Sequence, residues 1–187
     1  MPDMPESQPP IDFRTWSLPD LAKALEERRL PPVESWNPAH CGHSAMRIAR
    51  DGTWFHEGRR IDRPAMVRLF STVLRREADG SFVLVTPAEK LTIDVDLAPF
   101  VATAMKTSGS GPNRQIAFKL NTGDAVILGP EHPLRVESGV PLISVRRGLD
   151  ASLARPVYYE LADIALAEGA TTPGVWSNGA FFPLDAS

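Results

Sequence analysis

The chain has 187 residues, of which 43% are hydrophobic, and it carries a formal net charge of −3. This length fits one globular domain or two small ones, and the negative charge argues against general attraction to nucleic acid or anionic membranes. The single cysteine, Cys41, excludes an internal disulfide and favours a reducing compartment. No apolar run approaches the roughly 18–20 residues of a membrane span. Residues 1–10 also lack the features of a secretory signal, so we expect a cytoplasmic protein.

The first predicted element is a short amphipathic helix. Residues 1–12 are polar and rich in proline, and we expect them to be disordered. Ser17 is the predicted N-cap of the helix that follows, which ends near Arg29 because Pro31 cannot continue it. The apolar face of this helix is formed by Leu18, Leu21, Ala22 and Leu25.

A hairpin then follows the predicted loop 31–44. Asp51-Gly52 is a turn signal, because glycine adopts positive φ without a steric clash, and it joins predicted strands at 45–49 and 53–56. Pro64 opens a second helix, predicted to reach residue 76. This arrangement draws four polar or aromatic side chains into one small region: Arg47, Trp54, His56 and Arg63.

From Ser81 the pattern changes to short strands. We predict seven, near 82–85, 90–97, 100–106, 114–121, 125–128, 134–137 and 142–146. Residues 148–154 are predicted to be irregular or a short helix. A third helix then runs from Pro156 to the C-terminal cap Gly169, and a last hairpin turns at Asn178-Gly179.

The sequence therefore predicts an α+β protein in two parts. Residues 13–78 would hold two helices and a hairpin, and residues 79–187 a curved antiparallel sheet with a capping helix and a final hairpin. Seven strands followed by a helix is the order found in pleckstrin-homology-like folds.

A short internal echo links two predicted helix starts. Arg63-Pro64 and Arg155-Pro156 both begin the pattern Arg-Pro-x-x-x-x-Leu. The echo is explained either by duplication or by chance. Two related halves would meet at an interface, and clefts at such interfaces are favoured ligand sites.

A wider set of motifs identifies a family resemblance. They are Met46-Arg47-Ile48, Asp51-Gly52-x-Trp54, His56-x-Gly58, Ile61-x-Arg63, Leu69-Phe70, Leu84-Val85-Thr86-Pro87-x-Glu89-Lys90, Ala98-Pro99-Phe100, Asn121-x-Gly123-Asp124, His132-Pro133-Leu134, Val145-Arg146-x-Gly148-Leu149, Arg155 and Trp176-Ser177-x-Gly179. Together they resemble the bacterial domain of unknown function 1285 family. One departure is His43, where the family carries an acidic residue.

The resemblance implies a two-part α+β protein with repeated motifs. Its C-terminal part would be superficially like a pleckstrin-homology domain, with a nucleotide-type ligand site at the junction of the parts and a role in signalling. The predicted ligand-binding residues are Arg47, Trp54, His56, Arg63, Glu89, His132, Arg146 and Arg155.

Each of these residues also has a structural interpretation. Trp54 could stack on a planar ligand or fill the core of the hairpin. The arginines could form a basic pocket for phosphate or carboxylate, or pair with local acids. No metal or cofactor is predicted, because His40-Cys41-Gly42-His43 cannot supply the four ligands that a zinc site needs.

Three functions follow from these features. We favour a ligand-sensing or signalling module that binds an anionic, nucleotide-like small molecule. The second is an adaptor that presents a sheet edge to a protein partner. The third is an enzyme acting on a phosphorylated metabolite, with His56 or His132 paired with Glu89. The sharpest expectation is that Arg63 and Arg155, each at a helix start, face one cleft between the parts.

Overall fold

The computed structural model describes residues 11–185, so most of the segment expected to be disordered lies outside the described residues. The α+β architecture is mostly sheet. The helices are α1 (Leu18–Glu27), α2 (Pro64–Thr72) and α3 (Arg155–Glu168). No helix within 11–185 is long and apolar enough to cross a membrane.

The strands form two six-stranded sheets and a small hairpin. The first sheet contains β1 (His40–Ile48), β2 (Trp54–His56), β3 (Arg59–Arg60), β4 (Leu74–Arg76), β5 (Phe82–Val85) and β6 (Glu89–Val95). The second contains β7 (Phe100–Ser108), β8 (Gln115–Leu120), β9 (Ala125–Ile127), β10 (Leu134–Glu137), β11 (Val140–Arg146) and β12 (Leu149–Leu153). The hairpin pairs β13 (Gly174–Ser177) with β14 (Ala180–Pro183).

The two sheets repeat one strand order. The first runs β3-β2-β1-β6-β5-β4, and the second runs β9-β8-β7-β12-β11-β10 when read from its β9 edge. Each consists of two antiparallel meanders joined by a central parallel pair, with Ile48 opposite Val95 in the first sheet and Ala151 opposite Phe100 in the second. The repeated motif is therefore a six-stranded sheet.

The Arg-Pro echo does not coincide with this repeat. Helix α2 lies between the third and fourth strands of the first sheet, whereas α3 follows the last strand of the second. Proline is common at the first position of any helix, because its missing N–H is not needed there. The echo therefore reflects a shared helix start, not equivalent positions in the two sheets.

The boundary between the sheets lies between Val95 and Phe100, not after residue 78. Strand β5 pairs with β4, and β6 pairs with both β5 and β1, so both belong to the first sheet. The seven strands expected in the second part thus lose their first two members and gain β12. Hydrophobic alternation reveals that a segment is extended but does not reveal which strand it pairs with.

Three local expectations differ from the structure. Helix α2 ends at Thr72, and residues 74–76 form an edge strand, although Val73 and Leu74 continue the helical period. Residues 149–153 form β12, whose short Leu-Asp-Ala-Ser-Leu pattern is too brief to distinguish a strand from an irregular segment. Strand β1 begins at His40, inside the predicted loop.

The predicted helix caps are confirmed. The Ser17 hydroxyl accepts the Asp20 backbone N–H at 3.3 Å, which caps α1. Gly169 adopts φ 66° and ends α3 in the left-handed region, which glycine enters without a Cβ clash.

Both sheets contribute to one hydrophobic core. Its fully buried side chains include Ile48 and Trp54 from the first sheet and Phe100 and Phe118 from the second, together with Leu161 of α3. A smaller cluster lies on the second sheet, where Phe13, Leu18 and Leu21 of the α1 region pack on Ala117 and Ala125. The shared core holds the two sheets in a fixed relation and so defines the cavities between them.

Candidate functional site

A cavity of about 680 Å³ lies where the two sheets and α3 meet, and we call it the junction cavity. Its walls come from the β1–β2 turn, the β6–β7 link, the β10–β11 turn, the end of β12 and the start of α3. Leu97, Val101, Pro141 and Leu153 give it an apolar lining. Its size is within the usual range for small-molecule sites.

Two arginines from different parts of the fold line the junction cavity. Arg50 lies in the β1–β2 turn of the first sheet, and Arg155 is the first residue of α3. The α3 N-cap residue, Ala154, makes no side-chain hydrogen bond to the helix. The amino end of α3 therefore adds its own attraction for an anion to the charge of Arg155.

Ion pairs within residues 11–185 engage the following arginines: Arg28, Arg47, Arg60, Arg75, Arg114, Arg135, Arg146 and Arg147. Arg50 and Arg155 are not among them. Their charges are consequently available to a ligand in the junction cavity.

One carboxylate opposes these two charges. Asp51 lines the junction cavity, and its Oδ1 accepts the Thr53 backbone N–H at 3.0 Å. That hydrogen bond lowers the pKa of Asp51, so the side chain is ionised at neutral pH. The summed charge of Arg50, Asp51 and Arg155 is +1. This charge favours a ligand with a single anionic group near the turn.

Aromatic and hydroxyl groups complete the cavity wall. Tyr158 and Tyr159 lie in the first and second turns of α3, with ring centroids 6.2 Å apart and ring planes tilted by 57°. Tyr159 is 57% exposed, so a ligand could cover its ring. Ser152, only 5% exposed, also lines the cavity. Aromatic faces and hydroxyls beside cationic groups suit a planar anionic molecule.

Asn121 fastens the β1–β2 turn onto the second sheet. Its Oδ1 accepts the Val101 N–H at 2.9 Å, and its Nδ2 donates to the Gly52 carbonyl at 2.9 Å. Gly52 has φ +89°, and a Cβ on it would lie 2.7 Å from Asn121 Nδ2, so only glycine fits. Asn121 therefore sets where Arg50 and Asp51 stand relative to Arg155.

We predict that Asn121→Ala lowers the free energy of unfolding by about 1–3 kcal/mol, because the Val101 N–H and the Gly52 carbonyl both lose their partner. Urea denaturation measures the change. Asn113→Ala, at the exposed end of the short 3-10 helix Gly111–Asn113, is the matched control and is expected to stay within about 0.5 kcal/mol of the parent. Equal decreases in the free energy of unfolding of the two variants would show that the hydrogen bonds of Asn121 do not stabilise the turn on the second sheet.

Arg63 lies away from the junction cavity. Together with His56 and Arg59 it lines a depression of about 720 Å³, which is open to solvent to a similar degree as the junction cavity. A separate cavity of about 240 Å³, lined partly by Trp54, lies beside the β1–β2 turn. The structure thus does not place Arg63 and Arg155 in one cleft as predicted. The helix start at Arg63 is inserted within the first sheet, whereas that at Arg155 follows the second sheet.

Trp54 occupies the core. Its side chain is 1% exposed and stacks on Phe70 with ring centroids 6.4 Å apart and an angle of 18°. Its Nε1 has no hydrogen-bond partner among the described residues. This environment favours the structural interpretation of Trp54 over stacking on a ligand.

The histidines and the carboxylate expected to cooperate are not brought together. His56 is exposed, whereas His132 Nδ1 lies 3.0 Å from the Ser144 carbonyl oxygen. Glu89 Oε2 instead lies 3.9 Å from His40 Nε2, on the parallel pair β1–β6. The predicted pairing of His56 or His132 with Glu89 is therefore absent among residues 11–185.

The two remaining predicted arginines serve other contacts. Arg47 is exposed, lies 3.7 Å from Asp96 Oδ2 and stacks over the Phe55 ring at 5.1 Å. Arg146 donates to the Ser71 carbonyl at 2.7 Å, away from the junction cavity. Of the eight predicted residues, Arg155 alone lines the junction cavity. The residues not foreseen as ligand contacts, Arg50 above all, belong to segments whose meeting depends on tertiary structure.

Two family models match adjacent parts of the chain. "Domain of unknown function (DUF1285), N-terminal domain" matches residues 31–98, and "Protein of unknown function (DUF1285), C-terminal domain" matches residues 99–184. Their boundary falls in the link between the two sheets. Among curated proteins no significant match was found.

Two solved structures are similar. A DUF1285 family protein from Silicibacter pomeroyi DSS-3 is 42% identical, with a TM-score of 0.75, and the match covers 89% of this chain and 93% of that one. A DUF1285 family protein from Shewanella baltica OS155 is 20% identical, with a TM-score of 0.52, and the match covers 65% of this chain and 92% of that one. The second likeness shows the fold alone. Both family models and the first of these structures establish that the chain belongs to the DUF1285 family.

Proposed function

We propose that the protein is a ligand-sensing or signalling module that binds an anionic, nucleotide-like small molecule in the junction cavity. The observation that carries the proposal is the convergence of Arg50 and Arg155, which form no ion pair within residues 11–185, on a cavity of about 680 Å³. Guanidinium groups bind carboxylates and phosphates through paired hydrogen bonds. The exposed ring of Tyr159 offers a face for a planar group.

The location between the sheets supports sensing. The cavity takes Arg50 from the first sheet and Arg155 from α3, so a bound ligand would touch both parts of the fold. A ligand that binds between the parts would stabilise the folded protein, and this change in stability is what a sensor would transmit. A cytoplasmic location, favoured by the single cysteine, is part of the same proposal.

A thermal-shift screen tests the proposal. Mononucleotides, dinucleotides and small phosphorylated or carboxylated metabolites are tested at constant ionic strength. A ligand at a hundredfold excess over its Kd stabilises the folded state by about 2.7 kcal/mol, which raises the midpoint measurably. If no compound in a broad anionic library raises the midpoint, the proposal fails.

An adaptor function is the second proposal, and a specific observation favours it. Leu166 of α3 is 73% exposed, and Tyr159 lies seven residues earlier on the same helix with 57% exposure. Side chains at this spacing lie on one helix face and could meet a partner protein. A protein that copurifies with the parent chain but not with Leu166→Glu would favour the adaptor; no such partner would count against it.

We also propose that the likeness to a pleckstrin-homology domain is confined to the second sheet and α3. What supports it is the helix that directly follows a mainly antiparallel set of strands. The central parallel pair β7–β12 departs from a purely antiparallel order.

A further inference from the structure

A second, smaller cavity has an unusual charge balance. It has a volume of about 90 Å³ and lies between residues 30–34, the start of β4 and the β11–β12 turn. Three arginines line it, Arg75, Arg146 and Arg147, together with one carboxylate, Glu34. We call it the arginine cavity. It shares no lining residue with the junction cavity.

Two of the three arginines have partners of their own. Arg75 Nε and Nη2 donate to Glu77 Oε1 at 2.9 and 2.7 Å, and Arg75 Nη1 donates to the carbonyls of Val33 and Trp36. Arg147 Nη1 lies 3.6 Å from Glu34 Oε1. Neither charge is therefore left without a carboxylate.

Arg146 shares the carboxylate of Asp124 with Arg28. Its Nη1 lies 4.0 Å from Asp124 Oδ2, beyond hydrogen-bond distance, while Arg28 holds the other oxygen of that carboxylate at 3.0 Å. The Arg146 side chain is only 16% exposed. Burial lowers its pKa, Asp124 offsets the effect in part, and the charges of Arg28 and Arg147 lower it further. Its Nη2 donates to the Ser71 carbonyl at 2.7 Å, and its guanidinium stacks over the Phe100 ring at 5.1 Å. Among the three arginines of this cavity, Arg146 has the longest contact with a carboxylate.

We propose that the arginine cavity binds a small oxyanion of the size of phosphate or a short carboxylate, held by Arg146 and Arg147. A partly desolvated guanidinium forms strong charge-assisted hydrogen bonds with such an anion. The volume of about 90 Å³ corresponds to roughly three water molecules in the liquid and leaves no room for a nucleoside. The site is thus distinct in ligand class from the junction cavity.

The bound anion would fasten three segments to one another. Leu30, Pro31 and Val33 belong to the segment that follows α1, Thr72 and Leu74 to the first sheet region, and Leu149 to the second sheet. An anion that binds only the folded protein and contacts all three segments would stabilise the packing of residues 30–34 against the two sheets.

Isothermal titration with inorganic phosphate at constant ionic strength, with chloride as the reference anion, tests the proposal. We expect Arg146→Gln to raise the Kd for phosphate at least about tenfold, because it removes a charge-assisted contact. Arg59→Gln, which replaces an exposed arginine that lines neither the arginine cavity nor the junction cavity, is the matched control and should leave the Kd unchanged.

Because Arg146 also donates to the Ser71 carbonyl, its replacement could weaken the fold, and a second variant is needed. Glu34 is 51% exposed and lines the cavity as its carboxylate. The negative charge of Glu34 repels a bound anion. Glu34→Gln removes this repulsion and should lower the Kd for phosphate about two- to fivefold. The proposal is overturned if phosphate binds no better than chloride, if Glu34→Gln brings no gain, or if Arg59→Gln abolishes binding.

Discussion

Trp54→Ala is expected to lower the free energy of unfolding by about 3–5 kcal/mol, measured by urea denaturation. The side chain is 1% exposed and stacks on Phe70, in the core that the two sheets share. Its removal leaves a cavity between the sheets that neighbouring backbone can fill only in part. A loss of this size would move the urea midpoint far below that of the parent protein.

Trp54→Phe is the matched control. Trp54 Nε1 has no hydrogen-bond partner within residues 11–185. Replacement by phenylalanine therefore reduces the side-chain volume in the core but breaks no hydrogen bond. We expect a clearly smaller loss than for alanine, because an aromatic ring still packs against Phe70. A Trp54→Ala protein that kept its stability but lost ligand binding would show that Trp54 contacts a ligand instead of filling the core.

The helices and most strands could be predicted because each shows its own periodicity. Strand β6 alternates Leu91, Ile93 and Val95 with polar residues, and α3 begins at a proline and ends at Gly169. The sequence does not indicate strands β4 and β12, because each is short and is buried by neighbours distant in sequence. The local hydrophobic pattern predicts a helix or a strand only where the element is long enough to show its periodicity.

The pairing of the strands could not be read from the sequence in the same way. Strand β1 lies parallel to β6 across about 40 residues of intervening chain, and this contact decides that β5 and β6 belong to the first sheet. Parallel strands need long connections, and the sequence of neither β1 nor β6 indicates which strand it pairs with. The expected domain boundary after residue 78 therefore followed a change of local pattern instead of a change of sheet.

Arg155 is the one residue of the candidate site that the sequence predicts, because it lies at a helix start. Arg155 precedes a proline that opens a helix, and a helix start attracts anions wherever it lies. The sequence does not indicate Arg50 as a ligand contact, because the position of Arg50 depends on Asn121. Asn121 lies 69 residues from Gly52 in sequence and holds the turn against Val101. Arg63 shares the helix-start signal with Arg155, but the signal does not specify which cavity the arginine faces.

The second large effect is expected for the pair Arg50→Gln and Arg155→Gln. Together they remove the two cations that line the junction cavity without an ion pair of their own within residues 11–185. Each lost charge-assisted hydrogen bond weakens binding by about tenfold. A ligand that stabilises the parent by about 2.7 kcal/mol at a hundredfold excess should therefore give almost no midpoint shift with the double variant at the same concentration.

Arg63→Gln is the control for this prediction, because Arg63 is equally close to a helix start but lines a different depression. Its midpoint shift with the same ligand should equal that of the parent. Both arginines of the junction cavity are substituted by a neutral side chain of similar length, and Arg155 is exposed, so the unliganded proteins should unfold at nearly the same urea concentration. A full ligand response in the double variant, or its loss in Arg63→Gln, would locate the ligand outside the junction cavity.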